Sequence, residues 1–206
     1  MFQPSSWYMR LGTWLFNLVW LHILWVIFTL LGLVIFGLFP ATAAMFAVLR
    51  QLIMEEDDSS VTKLFFEKYK AEFVGSTLWG LLLSGGVVLL YVNMHALSYL
   101  QLGVIRTLLA SSTVVIGFVY LCMLLNFFPV FVHLRLLFWQ YPKYALLLAV
   151  AKPIQTIFMI IIVIVLAYLY LMFPILVVLF GISLFAYALM YIALRSLPRE
   201  QLVEDD

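Results

Sequence analysis

The sequence predicts an all-α protein that crosses a membrane several times, on three observations. Hydrophobic residues make up 67% of the 206 residues and charged residues only 10%. The mean hydropathy of +1.16 is far above that of soluble domains. The apolar residues lie in stretches of about 19 residues or more, which is enough for a helix to cross a hydrocarbon core of about 30 Å.

Five such spans are predicted, and none of them contains Asp, Glu, Lys or Arg. They run approximately over residues 13–39, 73–92, 108–132, 154–172 and 175–194. We interpret the whole chain, residues 1–206, as one membrane domain. Two larger loops, 40–72 and 133–153, then lie on the same side of the membrane.

The basic residues distinguish the two sides. With five spans, Arg10 and Arg106 fall on one side, and the other nine of the 11 Lys and Arg residues fall on the opposite side. Short cytoplasmic loops carry the excess of Lys and Arg. The sequence therefore predicts a multi-pass protein of the cell membrane with its N-terminus outside and its C-terminus inside.

The first inner loop, 40–72, predicts two helices. Pro40 suits a first helical turn because its missing N–H has no partner there, and the Ala and Leu residues up to Leu52 favour helix. A second, amphipathic helix begins near Val61, with lysines around its apolar stripe. That stripe contains Leu64, Phe65, Tyr69 and Phe73. The pattern is typical of a helix at the level of the inner lipid headgroups.

The second inner loop, 133–153, has a similar mixture of basic and aromatic residues. Arg135 and Lys143 are interleaved with Trp139 and Tyr144, and a short apolar helix is expected before residue 153. Both inner loops are thus predicted to present aromatic and basic side chains near the membrane surface.

Polar residues within the spans indicate a hydrogen-bond partner or a water-filled cavity, because they are costly in lipid. Asn17, His22, Asn93 and His95 all fall in the predicted outer half. One interpretation is a small outward-facing polar pocket between the first two spans. The other is that these side chains form hydrogen bonds between helices, worth about 0.6 kcal/mol each.

The residues that usually carry catalysis are missing. The spans contain no carboxylate, the three His residues are far apart, and Cys122 is the single cysteine. No hydrolase, zinc-protease or phosphate-binding motif is present. We therefore expect a protein that is not an enzyme, with no cofactor, metal ion or nucleic-acid partner. A secondary transporter acting alone is disfavoured, because proton-coupled transport normally uses a buried acid.

Residues 39–44, Phe-Pro-Ala-Thr-Ala-Ala, followed by Val-Leu-Arg at 48–50, resemble the YesL-like family of small bacterial membrane proteins. Residues 65–73, 128–135, 143–153 and 181–184 also resemble that family's pattern. The resemblance implies a five-span helical protein of Gram-positive bacteria. It further implies genes beside carbohydrate ABC importers and sensor systems, and no catalytic residues.

Three functions remain open. The first is a non-catalytic accessory or assembly subunit of an oligosaccharide ABC importer, bound to the permease subunits at the inner face. The residues predicted for this interface are Pro40, Thr42, Arg50, Phe65, Tyr69, Phe73, Arg135, Trp139 and Tyr144. The second is a small transporter or channel, alone or self-associated, that uses the outer polar pocket. The third is a membrane regulator of a sensor kinase.

Overall fold

The computed structural model describes residues 7–54, 60–99 and 103–196, and the regular structure within these ranges is entirely α-helical. This confirms the predicted all-α class. The helices are α1 (Trp7–Leu31), α2 (Ile35–Met54), α3 (Val61–Ala71), α4 (Phe73–Ser98), α5 (Gly103–His133), α6 (Gln140–Ala151), α7 (Pro153–Met172) and α8 (Pro174–Leu194).

Six of the described helices, α1, α2, α4, α5, α7 and α8, are long and apolar enough to cross a membrane. The last four coincide with predicted spans, but the prediction of one continuous span over 13–39 is wrong. The chain reverses at Leu33 and Val34, whose φ angles of +56° and +64° lie in the left-handed region. The sequence hid this reversal because no charged residue lies near it.

The α1–α2 hairpin is tightly closed. A β-carbon at Gly32 would collide with the backbone of Gly37. The backbone segments on the two sides of this turn therefore come closer together than a side chain at position 32 would allow. Farther from the turn, Trp25 Nε1 donates a hydrogen bond to Thr42 Oγ1 at 3.0 Å. Thr42 in turn donates to the carbonyl of Leu38 at 2.7 Å, so its hydroxyl both accepts and donates a hydrogen bond inside the hairpin.

The six long helices form three hairpins, α1–α2, α4–α5 and α7–α8, in a cyclic arrangement. The second helices of the hairpins, α2, α5 and α8, all contact one another. The first helix of each hairpin packs on the second helix of another, with α4 on α2, α7 on α5 and α1 on α8. The bundle therefore has an approximate threefold order around α2, α5 and α8. The short helices α3 and α6 pack against α2 and α5, respectively.

Helix α2 is the most buried of the six, and every residue from Pro40 to Leu49 is buried. Phe46 stacks on Phe128 of α5, with ring centroids 5.4 Å apart, and the buried side chain of Met190 in α8 belongs to the same core. The prediction of an inner surface loop over residues 40–72 is therefore wrong for its first part. Residues 40–54 complete a buried, membrane-length helix, and only α3 is short.

The start of α1 lies beside the end of α8. The rings of Trp14 and Tyr187 are 4.8 Å apart, and His22 lies against Gly181, so the two helices run antiparallel. Both ends of the described chain are consequently at the same end of the bundle. The prediction of an N-terminus and a C-terminus on opposite sides of the membrane is therefore not confirmed.

Candidate interaction surface

Helices α2 and α5 are joined at their C-terminal ends by a polar contact. Arg50 Nε donates a hydrogen bond to His133 Nδ1 at 3.0 Å, and both side chains are half-buried. The hydrogen bond requires Nδ1 of the imidazole to be unprotonated. Arg50, predicted to contact a partner protein, instead links two helices of its own bundle.

Three more of the predicted interface residues are inside the bundle, so this part of the prediction is wrong. Pro40, Thr42 and Phe65 are buried and are out of reach of a partner. Pro40 and Thr42 belong to the buried part of α2, and the apolar stripe of α3 does not face lipid headgroups. Leu64 and Phe65 pack instead into the core formed by α1 and α2, and the rings of Phe65 and Phe28 are 5.3 Å apart.

Tyr69 and Phe73 also turn toward the protein. The hydroxyl of Tyr69 donates to the backbone carbonyl of Phe28 at 3.3 Å, and the rings of Tyr69 and Phe73 are 5.5 Å apart. Burial raises the pKa of the Tyr69 hydroxyl, which keeps it protonated as a donor. These two residues attach α3 to the α1–α2 hairpin and to the start of α4.

The remaining predicted interface residues, Arg135, Trp139 and Tyr144, are exposed and close in sequence. They lie on the segment that follows α5 and on α6. Leu137, Lys143 and Leu147 are exposed beside them in the same segment, and the exposed fractions of Leu137 and Trp139 are 74% and 65%. We call this set the α6 surface: Arg135, Leu137, Trp139, Lys143, Tyr144 and Leu147.

The α6 surface rests on a buried aromatic cluster. The indole of Trp79, 1% exposed, stacks on Phe138 with centroids 4.4 Å apart and meets Trp139 edge-on at 5.9 Å. Tyr141 packs on Phe131 at 4.9 Å, and its hydroxyl accepts a hydrogen bond from the backbone of Leu136. The exposed side chain of Trp139 is therefore supported by this cluster.

Leu137 and Leu147 belong to this surface but were not predicted from the sequence. In so apolar a chain, a leucine in a loop reads as a core residue. The available signal was the shortness of this helix, because a helix of 12 residues is too short to cross a membrane. In the structure, Ala145 and Ala149 are the residues of α6 that are buried. Most of its apolar side chains therefore had to be exposed.

The predicted polar pocket does not form from its four residues. Asn17 and His22 are on α1, whereas Asn93 and His95 are exposed near the end of α4, and within the described ranges α1 and α4 do not touch. The reason is that the first predicted span is part of the α1–α2 hairpin, and α4 packs on α2 and not on α1. His22 packs against Gly181, and His95 Nε2 lies 3.1 Å from the hydroxyl of Tyr99.

Metal ligands are not assembled in the part of the chain that the structure describes, where no three His, Cys, Asp or Glu residues are grouped closely enough to hold an ion. The structural features that stand out are therefore the α6 surface and its aromatic support.

Comparison with known proteins identifies several relatives. Residues 18–94 match the family described as "Protein of unknown function, DUF624". The chain is 36% identical over 186 residues to the uncharacterized protein YteU of Bacillus subtilis (strain 168), covering 89% of this chain and 82% of YteU. It is 35% identical over 185 residues to YesV of the same strain, covering 90% and 88%.

A third relative is YesL of Bacillus subtilis (strain 168), which is 33% identical over 147 residues, covering 71% of this chain and 68% of YesL. All three relatives are described as uncharacterized. No solved structure matches the chain significantly.

Proposed function

Because the chain belongs to the YesL-like, DUF624 family of bacterial multi-pass membrane proteins, we propose that it is a non-catalytic accessory or assembly subunit of a membrane complex. The partner that the family resemblance implies is the permease pair of an oligosaccharide ABC importer. The observation that carries this proposal is the α6 surface, which is exposed and supported by buried aromatic rings.

The composition of the α6 surface favours a protein partner. Trp, Tyr and Arg are the residues most enriched among the energetic centres of interfaces, and Trp139, Tyr144 and Arg135 lie here within ten positions of one another. Because Trp79 and Phe138 already hold Trp139, little side-chain entropy is lost on binding.

The proposed topology has six crossings and places both chain ends inside. Helices α2, α5 and α8 end together, and α1 begins at that same end. Apart from Arg106, the Lys and Arg residues lie near the start of α1, in the last turns of α2 (Arg50) or in the segments that follow α2, α5 and α8. The positive-inside rule assigns this end to the cytoplasm, so the α6 surface faces inward.

Labelling of introduced cysteines tests the topology. In a Cys122→Ser background, we expect Ser98→Cys to react with a membrane-impermeant maleimide in intact cells, because α4 ends outside. Lys143→Cys and a cysteine added before Met1 are expected to react only after the cells are permeabilised. Labelling of the added N-terminal cysteine in intact cells would contradict the six-crossing topology and favour five crossings.

Co-purification tests the function. A tagged protein, extracted in mild detergent from its native host grown on polysaccharide, is expected to recover a permease pair in comparable amounts. The double variant Arg135→Glu/Trp139→Ala should lower this recovery about tenfold or more, since truncating a central interface residue typically costs about 2 kcal/mol. The matched control is Arg106→Glu/Tyr91→Ala. It also changes one exposed Arg and one exposed aromatic residue, but these lie toward the end of α4 and at the start of α5, away from the α6 surface.

Equal recovery with the α6-surface variant and its control would refute the proposed interface. Recovery of a sensor kinase in place of a permease would assign the protein to the regulatory function. A protein recovered alone would instead require flux measurements in proteoliposomes.

A further inference from the structure

A groove of about 660 Å³ lies between the start of α7 and the end of α8. It is independent of the α6 surface, and the accessory role proposed above does not depend on it. Its position at the ends of two apolar helices places it where hydrocarbon meets lipid headgroups. The groove combines a charged rim, a buried polar side chain and an apolar wall.

The rim carries two cations, Lys152 and Arg195, and no acidic side chain lines the groove among the described residues. Lys152 Nζ donates to the carbonyl of Ser196. The Arg195 guanidinium donates to the Tyr191 hydroxyl and lies 4.6 Å from the centre of that ring. Both positive charges are thereby held at the mouth of the groove, which favours an anionic ligand.

The start of α7 adds to this preference. Pro153 occupies the first turn, and Lys152 at the N-cap position makes no capping hydrogen bond with its side chain. The backbone N–H groups of a first helical turn have no partner within the helix and attract anions. This helix terminus therefore also favours an anionic ligand, as the two cations do.

Gln155 provides an independent sign of a ligand. It lines the groove and is only 8% exposed, yet neither its amide nitrogen nor its amide oxygen has a hydrogen-bond partner among the described residues. A buried polar group left unpaired is destabilising, so this amide favours a ligand that can pair with it. Gln155 follows Lys152 by three residues, which places it about 4.5 Å deeper along α7.

The wall of the groove is apolar and continues into the membrane. Ile154, Phe158 and Ile162 follow one another along α7, and Ile192 faces them from α8. Ile154 and Phe158 are more than half exposed, so a hydrocarbon chain has direct access to them. The order from rim to wall is thus cationic, polar and apolar.

We propose that this groove binds one molecule of a glycerophospholipid with an anionic headgroup. The phosphate lies between Lys152 and Arg195, the amide nitrogen of Gln155 donates to an oxygen of the glycerol ester region, and an acyl chain follows the wall formed by Phe158 and Ile162. Each chemical part of such a lipid then has a matching side chain at a corresponding depth.

Native mass spectrometry of the intact protein tests this proposal. The protein is released from nanodiscs that contain equal amounts of phosphatidylglycerol and phosphatidylcholine. We expect one retained lipid and a preference of about tenfold or more for phosphatidylglycerol, since each cation near an anionic lipid contributes about 1 kcal/mol. The double variant Lys152→Ala/Arg195→Ala should remove this preference.

Two further variants make the result specific. Gln155→Leu keeps the shape of the groove and removes the unpaired amide, so it should fold normally and retain several-fold less phosphatidylglycerol. Lys63→Ala/Lys70→Ala removes the same charge from exposed positions on α3, outside the groove, and should retain the lipid as the unchanged protein does. The proposal would be overturned if both lipids were retained equally, or if the α3 control variant lost as much phosphatidylglycerol as the groove variant. It would also be overturned if the protein were released as a dimer without lipid.

Discussion

Replacing Gly181 by alanine is expected to destabilise the folded protein by about 2–5 kcal/mol. Gly181 has φ +39° and ψ −119° inside α8, and the His22 imidazole of α1 occupies the space that a β-carbon would need. Backbone strain of this kind costs about 1–3 kcal/mol, and overpacking costs a similar amount. The position is also fixed from α7, because the Tyr170 hydroxyl donates to the Gly181 carbonyl at 2.7 Å.

Thermal unfolding in detergent, followed by the loss of the monodisperse peak on size-exclusion chromatography, measures this effect. The matched control is Gly85→Ala, because no atom lies within 4 Å of a β-carbon at that helical position. The double variant His22→Ala/Gly181→Ala should recover the steric part of the loss but not the backbone part. If Gly181→Ala and Gly85→Ala unfolded at the same temperature, the contact between α1 and α8 would be wrong.

Trp79→Ala is expected to cost about 3–5 kcal/mol, the usual range for deleting a buried Trp. Trp79 is 1% exposed and contacts aromatic rings of α5 and of the segment before α6. The indole nitrogen has no hydrogen-bond partner among the described residues. Trp79→Phe should therefore be much milder, since it removes an unpaired buried N–H while keeping most of the apolar area.

The same unfolding measurement checks this ranking, with Leu89→Ala on the exposed face of α4 as the control that should change little. The Trp79 variants also connect the core to the proposed function. Trp79→Ala should reduce partner recovery at temperatures where it remains folded, because Trp139 loses its edge-on support. A protein with Trp79→Ala that is as stable as one with Leu89→Ala would contradict the buried aromatic cluster.

Several local features were predictable because their physical cause is local. The spans over 108–132, 154–172 and 175–194 coincide with α5, α7 and α8, since a long uncharged stretch has only one stable state in lipid. The amphipathic helix beginning near Val61 is α3, because its lysines and apolar stripe repeat with helical spacing. Arg135, Trp139 and Tyr144, chosen for their mixture of charge and aromatic rings, are exposed, and their role in an interface stays a prediction.

The residues that were assigned wrongly share one cause. Thr42 and Phe65 were assigned to the surface because residues 40–72 were taken as an inner loop, yet both side chains face α1 inside the bundle. His22 and His95 seemed to be neighbours because their spans are consecutive. In the bundle, α1 closes on α8, so His22 packs against residue 181 instead.

The sequence by itself determined that this is a multi-pass helical membrane protein of the YesL-like family, with its basic residues gathered in a few segments. Charge is excluded from hydrocarbon wherever it occurs along the chain, so these properties can be read locally. Only the tertiary structure decided that the first apolar stretch is a hairpin, that α2 is buried and that three hairpins pack cyclically. Lipid and protein core are equally apolar, so the sequence of a span does not indicate which of its faces packs against which neighbouring helix.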